Sequence, residues 1–253
     1  MPYVLHRGCR LHYQVLGEGP PLLLQHGFTS SSGAWQHFGF TAALQKHFQL
    51  IMPDARGHGL SDKPHDPASY TQAERVADVL AVLDALGIER THFFGYSMGG
   101  WIGYGLAQSA PQRLRSMVLG AAHPYADTQW DHFLGIDGRD ADAFITAFEA
   151  VLDEALSEPV KMLVRANDLQ ALAAAAQHSR PSMEALLSGM DMPCLLYCGD
   201  ADARHEAVQR FASSLAQGQF ASLPGVSHFA GLMRSDLVLP LVTAFLLEQR
   251  ARA

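Results

Sequence analysis

The stretch Thr91-His92-Phe93-Phe94-Gly95-Tyr96-Ser97-Met98-Gly99-Gly100 constrains the fold more than any other part of this chain. Its first half is a short apolar and β-branched run ending at a glycine, which predicts a strand. Its second half opens a helical run from Trp101 to Gln108. A strand that passes at once into a helix leaves no room for side chains beside the turn. Gly95 and Gly99, two residues either side of Ser97, are what such a turn requires. The turn holds the Ser97 hydroxyl outward, and the helix aims its free N–H groups and positive end at the same spot. In this strand-before, helix-after context, G-x-S-x-G predicts a nucleophilic serine rather than a glycine-rich surface turn.

The flanking sequence repeats the alternation. Tyr3 to Arg7 and Arg10 to Leu16 read as two antiparallel strands around Gly8. Leu22 to Gln25, Phe48 to Pro53 and Leu114 to Leu119 read as short strands buried on both faces. Helical spacing runs over Ala34 to His47 and Tyr70 to Leu86. Beyond residue 123 the pattern breaks into helical stretches (Ala141 to Leu156, Pro159 to Arg165, Leu169 to Gln177) with no convincing strand. It then resumes: strand Cys194 to Cys198, helix Ala203 to Ala216, strand Gln219 to Leu223, helix Leu237 to Arg250. The reading is α/β: a mostly parallel twisted sheet with helices on both faces. The core domain is 1–122 plus 191–253, and 123–190 is a helical cap or lid.

A chain of 253 residues can bury a substantial core. A net charge of −7 gives no basic footprint for nucleic acid. Neither a leader-like start nor a membrane-length apolar run is present, so a cytoplasmic protein with no membrane span is expected. Cys194 and Cys198 lie about 13 Å apart along a strand at about 3.3 Å per residue, too far to bridge, and read as core thiols. The histidines and cysteines show no metal-ligand spacing, and neither a metal nor another cofactor is expected. The oligomeric state is left open.

A serine needs a base, and the base an orienting acid. In an open parallel sheet, functional groups collect beyond the carboxyl ends of the strands. That rule selects His26-Gly27-Phe28, Gly199-Asp200-Ala201-Asp202 and Pro224-Gly225-Val226-Ser227-His228. His228, in a loop after the last strand, is the base; His205 is its competitor but falls in a helix. Asp202 and Asp200 compete for the acid. Asp202, further out in the loop, is placed to reach His228, whereas Asp200 reads as a turn former. Two backbone N–H groups are expected to face a developing oxyanion: Met98, after the serine, and Phe28, after Gly27.

With these residues the chain resembles the α/β-hydrolase superfamily over nearly its whole length. The likeness rests on His26-Gly27-Phe28, Asp54-x-Arg56-Gly57-His58-Gly59-x-Ser61, the serine turn, Gly199-x-x-Asp202 and Gly225-x-x-His228. It implies a Ser97, Asp202, His228 triad and a lid at 123–190. It also implies that Asp54, Arg56 and His58 brace the loop beside the serine. Serine at 97 argues against the dehalogenase and epoxide hydrolase branches, which use aspartate there. The likeness is to serine esterases, enol-lactonases and haloperoxidase-like proteins, acting on a small, largely apolar ester or lactone through an acyl-enzyme.

Alternatives are a carbon–carbon bond hydrolase, a perhydrolase, or a small-molecule receptor with low turnover. Carbon–carbon hydrolases commonly carry asparagine where Tyr96 stands. Menaquinone-precursor enzymes carry arginine where Trp101 stands, and a pocket without that cation is a poor host for a polycarboxylate. Tyr96, Trp101, Trp130 and Phe144 are the expected substrate contacts.

Overall fold

The computed structural model describes residues 2–178, 180–187 and 189–251. Its strands are β1 (Tyr3–His6), β2 (Cys9–Leu16), β3 (Pro21–Gln25), β4 (Gln49–Pro53), β5 (Thr91–Tyr96), β6 (Leu114–Gly120), β7 (Cys194–Gly199) and β8 (Gly218–Leu223). They form one sheet in the order β1-β2-β4-β3-β5-β6-β7-β8. The β1–β2 and β2–β4 pairs are antiparallel. Every other pair is parallel.

The helices are α1 (Gly33–His37), α2 (Phe40–Leu44), α3 (Gln72–Ala85), α4 (Met98–Ser109), α5 (Ala141–Leu152), α6 (Glu158–Arg165), α7 (Leu169–Ala176), α8 (His205–Ser214), α9 (Ala230–Met233) and α10 (Ser235–Ala251). No helix among the described residues is long and apolar enough to cross a membrane.

Successive side chains of a strand point to opposite faces, and β5 shows what covers each. Phe93 packs against Gly103 of α4. Its neighbour Phe94 packs against Trp35 of α1 and Phe40 of α2, with ring centroids 4.9 and 5.8 Å away. Every residue of β5 is buried, as a strand between two helical layers must be. The helices therefore lie on both faces, as the alternation predicts. Cys194 and Cys198 are free, buried thiols of β7.

Several helix boundaries shift from the sequence reading, and three of the changes redirect the chain. The run from Ala34 to His47 is two helices, because Gly39 adopts φ 84° and turns the chain between them. Tyr70 belongs to a short 3-10 turn, and α3 starts after Thr71, whose hydroxyl accepts from the Glu74 N–H at 3.2 Å. The helix expected to reach Leu156 stops at Leu152, where Asp153 enters the left-handed region at φ 54°. That early stop sends Glu154 away from the helix line.

Between β6 and β7 the described residues contain α5, α6, α7 and two 3-10 turns, Thr128–Phe133 and Glu184–Leu186, but no strand. This segment packs over the carboxyl ends of the strands. Phe28 meets Trp130 and Phe148 edge-on at 5.1 and 5.5 Å. The buried Arg75 of α3 donates to the Ala175 carbonyl of α7 at 2.7 Å, tying the segment to the sheet domain.

Candidate active site

Ser97 sits between β5 and α4 at φ 53° and ψ −114°. For a residue with a side chain this conformation costs about 1–3 kcal/mol, so the surroundings must impose it. They do so from both sides. The Ser97 N–H donates to the Gly120 carbonyl of β6 at 2.8 Å, and its carbonyl accepts from the Trp101 N–H at 3.0 Å. A methyl group on Gly99 would lie 2.1 Å from the Gln25 carbonyl oxygen, and one on Gly95 would lie 2.5 Å from the Gly99 carbonyl. Neither position accepts a side chain. The physical reason given for the two glycines from sequence is the one the packing supplies.

His228 lies within hydrogen-bonding distance of Ser97. Its Nε2 is 2.9 Å from the Ser97 Oγ, and its Nδ1 is 2.7 Å from the Asp202 Oδ2. A carboxylate only accepts, which places the imidazole proton on Nδ1 and leaves Nε2 to accept from the serine. Burial of Asp202 opposes its charge, but the His228 interaction and the neighbouring Arg204 outweigh this and hold the carboxyl well below its ordinary range. Asp202 Oδ1 also accepts from the Arg204 N–H at 3.0 Å, which fixes the carboxylate plane.

Asp200 points elsewhere: its Oδ1 accepts from the Gly225 N–H at 2.7 Å, joining the two loops. His205, the first residue of α8, is engaged with Ser222 at 2.8 Å.

The loop carrying His228 is held at three points. Tyr96 donates its hydroxyl to the His228 carbonyl. Glu154 takes the residues on either side, accepting from Ser227 Oγ at 2.7 Å and from the Phe229 N–H at 3.2 Å. Glu154 was not foreseen, because it falls inside the helix that the periodicity predicts. The left-handed Asp153 is what frees it.

The loop carrying Phe28 and the start of α4 both lie beside Ser97. Met98 opens α4, so its N–H is among the donors a helix leaves unsatisfied. A methyl group on Gly27 would be 3.5 Å from the Ser97 Cβ, which measures how closely the Phe28 loop approaches the serine. His26 fixes that loop: its Nε2 accepts from the Ala55 N–H at 3.0 Å, so Nδ1 is the donor to the Gly27 carbonyl at 2.8 Å. Burial holds the pKa of His26 down and keeps it neutral, as this pattern requires.

Asp54 braces the neighbouring loop by accepting from the Ser32 and Leu60 N–H groups at 2.7 and 2.9 Å. Arg56 reaches Asp78 through two bonds of 2.5 and 2.6 Å, and His58 engages the Arg56 carbonyl at 3.0 Å.

A cavity of about 640 Å³ opens onto Ser97 and His228, lined from the sheet domain by Phe28, Tyr96 and Trp101 and from the 123–190 segment by Trp130, Phe148 and Arg180. Of the four expected substrate contacts, Tyr96, Trp101 and Trp130 reach the cavity. Phe144 does not: it is fully buried behind the wall, packed on Phe28 and Phe133 at 6.3 and 5.0 Å.

Trp101 stands where the menaquinone-precursor enzymes carry arginine, but another part of the chain brings a cation to this cavity. The Arg180 guanidinium lies over the rings of both Trp101 and Trp130, 4.8 and 3.7 Å from their centroids. Sequence offered no signal for Arg180, since only the chain path across the sheet brings it to Trp101.

Comparison with known proteins agrees with this geometry. A family model described as the alpha/beta hydrolase fold matches residues 20–172. The chain is 26% identical to the candidate 2-succinyl-6-hydroxy-2,4-cyclohexadiene-1-carboxylate synthase of Bacillus subtilis (strain 168), over 93% of this chain and 95% of that protein. Among solved structures it is similar to an N-acyl homoserine lactone degrading enzyme, with TM-score 0.80, 26% identity, and coverage of 96% of this chain and 100% of the other. The enol-lactonase from Burkholderia xenovorans LB400 also superposes at TM-score 0.80, with 25% identity over 97% of this chain and 100% of its own. The chain belongs to the alpha/beta hydrolase fold family.

Proposed function

We propose that this protein is a serine hydrolase that cleaves a carboxylic ester or lactone of a small substrate through an acyl-enzyme on Ser97. The observation that carries the reading is the unbroken chain from Ser97 Oγ to His228 Nε2, at 2.9 Å, and from His228 Nδ1 to Asp202, at 2.7 Å, at the floor of a cavity.

In this mechanism Ser97 Oγ attacks the carbonyl carbon while His228 Nε2 takes the hydroxyl proton. Asp202 stabilises the resulting imidazolium and keeps its ring oriented. The N–H groups of Phe28 and Met98 hold the oxyanion. His228 then gives its proton to the leaving oxygen, and in the second half it takes one from water to release the acid. The helical segment 123–190 serves as the lid, excluding water and contributing Trp130 and Phe148 to the apolar wall. Lactones are included because both structural relatives are named for lactone cleavage.

The test is hydrolysis of p-nitrophenyl acetate and butyrate together with covalent labelling by a fluorophosphonate. Label on Ser97, and a fall in kcat of about 10⁴ to 10⁶ in Ser97→Ala, are expected. Labelling at another residue, or a fall of less than about tenfold, removes the acyl-enzyme.

A further inference from the structure

We propose that Arg180 forms a carboxylate subsite, so that the substrate is an acid ester or acid lactone whose free carboxylate docks in the cavity onto which Ser97 opens. This deepens the ester or lactone reading and rests on it.

Arginine carries five N–H donors and a charge that is not lost in a protein. Three guanidinium groups elsewhere among the described residues have polar partners. Arg56 forks onto Asp78. Arg75 donates to the Tyr70 and Ala175 carbonyls at 3.0 and 2.7 Å. Arg204 donates to the Val151 carbonyl at 2.9 Å and lies 3.7 Å from both Asp127 and Asp202. The Arg180 side chain has no hydrogen bond and no ion-pair partner among the described residues; its contacts are the two indole faces. Stacking engages the flat faces of a guanidinium and leaves its edge, where the donors are, for a ligand in the cavity that Arg180 lines.

The surrounding charges favour an anion there. The groups acting on Arg180 are Arg75 of α3, Arg204 ahead of α8, and Asp127. Two cations face one carboxylate, and that carboxylate is shared with Arg204. Burial first, and then the two arginines, disfavour the charged form of Arg180 and outweigh Asp127. An arriving carboxylate reverses the imbalance and pairs with two parallel N–H groups of the fork, the geometry in which arginine binds most strongly. The tryptophans hold the fork in place, so little side-chain freedom is lost when the ligand binds. Trp101 thus supplies a platform for a cation brought by the segment between β6 and β7.

The test compares p-nitrophenyl monoesters of succinate, glutarate and adipate with p-nitrophenyl esters of the same chain length that end in methyl. At least one acid ester is expected to exceed its methyl partner in kcat/KM by about ten- to a hundredfold, the range of a charged hydrogen-bonded pair. That ratio is expected to fall to about one in Arg180→Gln and to be partly retained in Arg180→Lys. A wild-type ratio near one for all three lengths, or an Arg180→Gln change that scales acid and neutral esters equally, overturns the subsite.

A second measurement needs no turnover. Glutarate, adipate and inorganic phosphate are titrated calorimetrically into Ser97→Ala protein, with and without Arg180→Gln. Dicarboxylate binding that requires Arg180 supports the subsite even if no ester is cleaved, in which case only the esterase reading falls. Neutral ester turnover with a labelled Ser97, but no dicarboxylate binding, removes the subsite and leaves the esterase. Binding of phosphate without binding of either dicarboxylate overturns the carboxylate assignment.

Discussion

Replacing Glu154 by alanine should slow catalysis without loosening substrate binding, and the structure sets the size of the effect. Each carboxylate oxygen takes one hydrogen bond, from Ser227 Oγ at 2.7 Å and from the Phe229 N–H at 3.2 Å. His228 lies between these two anchors, with its own carbonyl held by Tyr96. Hydrogen bonds to a charged group contribute about 1.5–3 kcal/mol each when dry. Glu154 is only partly buried, so about 1 kcal/mol apiece is the appropriate figure.

Losing both bonds then lets the imidazole wander by an amount costing up to about 2 kcal/mol, and at 1.36 kcal/mol per decade that is about thirtyfold in rate. Glu154→Ala is therefore expected to lower kcat for p-nitrophenyl acetate by about ten- to thirtyfold, with KM changed by less than about threefold. Glu154→Gln keeps an acceptor for the Phe229 N–H and should recover most of the loss. The rate of fluorophosphonate labelling should fall in step with kcat, since it depends on the activated serine and not on turnover. A kcat within about twofold of wild type, or a rise in KM at unchanged kcat, would refute the positioning role. A cooperative melt of the variant separates this effect from unfolding.

Asp202→Asn is expected to reduce kcat by about 10³ to 10⁴, because an amide cannot hold the Nδ1–H tautomer, whereas Asp200→Asn should change it by less than about threefold; steady-state kinetics check the order, and the reverse order reassigns the acid. Gly99→Ala places a methyl group 2.1 Å from the Gln25 carbonyl oxygen and should destabilise the fold by at least about 1–3 kcal/mol while abolishing serine labelling; an unchanged melting temperature would contradict the packed turn.

His92 is buried, and burial, aided by Arg115 and Arg90, lowers its pKa to about 4. Between about 4 and an unfolded value of about 6.5, only the unfolded chain takes the proton, so stability falls as pH drops through that window. From pH 6.5 to 5 the integrated single-group loss is about 1.6 kcal/mol, and urea unfolding should show His92→Phe losing less than wild type by about that amount. Equal losses in the two proteins would show that His92 is protonated in the fold.

What could be read in advance was whatever is encoded locally. The apolar runs, the glycines two residues either side of Ser97 and the loops after successive strands each carry their meaning within about ten residues. Together with the rule that sites form beyond strand ends, they brought Ser97, Asp202 and His228 to one place. Asp202 was separable from Asp200 because two residues along a loop change its reach. Helix ends were less legible, as at Gly39 and Asp153, because a single left-handed residue redirects the chain without altering the apolar period.

The rest belongs to the tertiary structure alone. Phe144 and Trp130 look alike in sequence, an aromatic in a helical segment, yet one is sealed behind Phe28 and the other faces the cavity. Glu154 meets the His228 loop across 73 and 75 residues, and Arg180 stacks on Trp101 although the two are far apart in the chain. Local sequence sets which backbone a segment prefers. Which side chains meet depends on how the segments stack, since a contact between residues distant in the chain arises only from the shared burial of both.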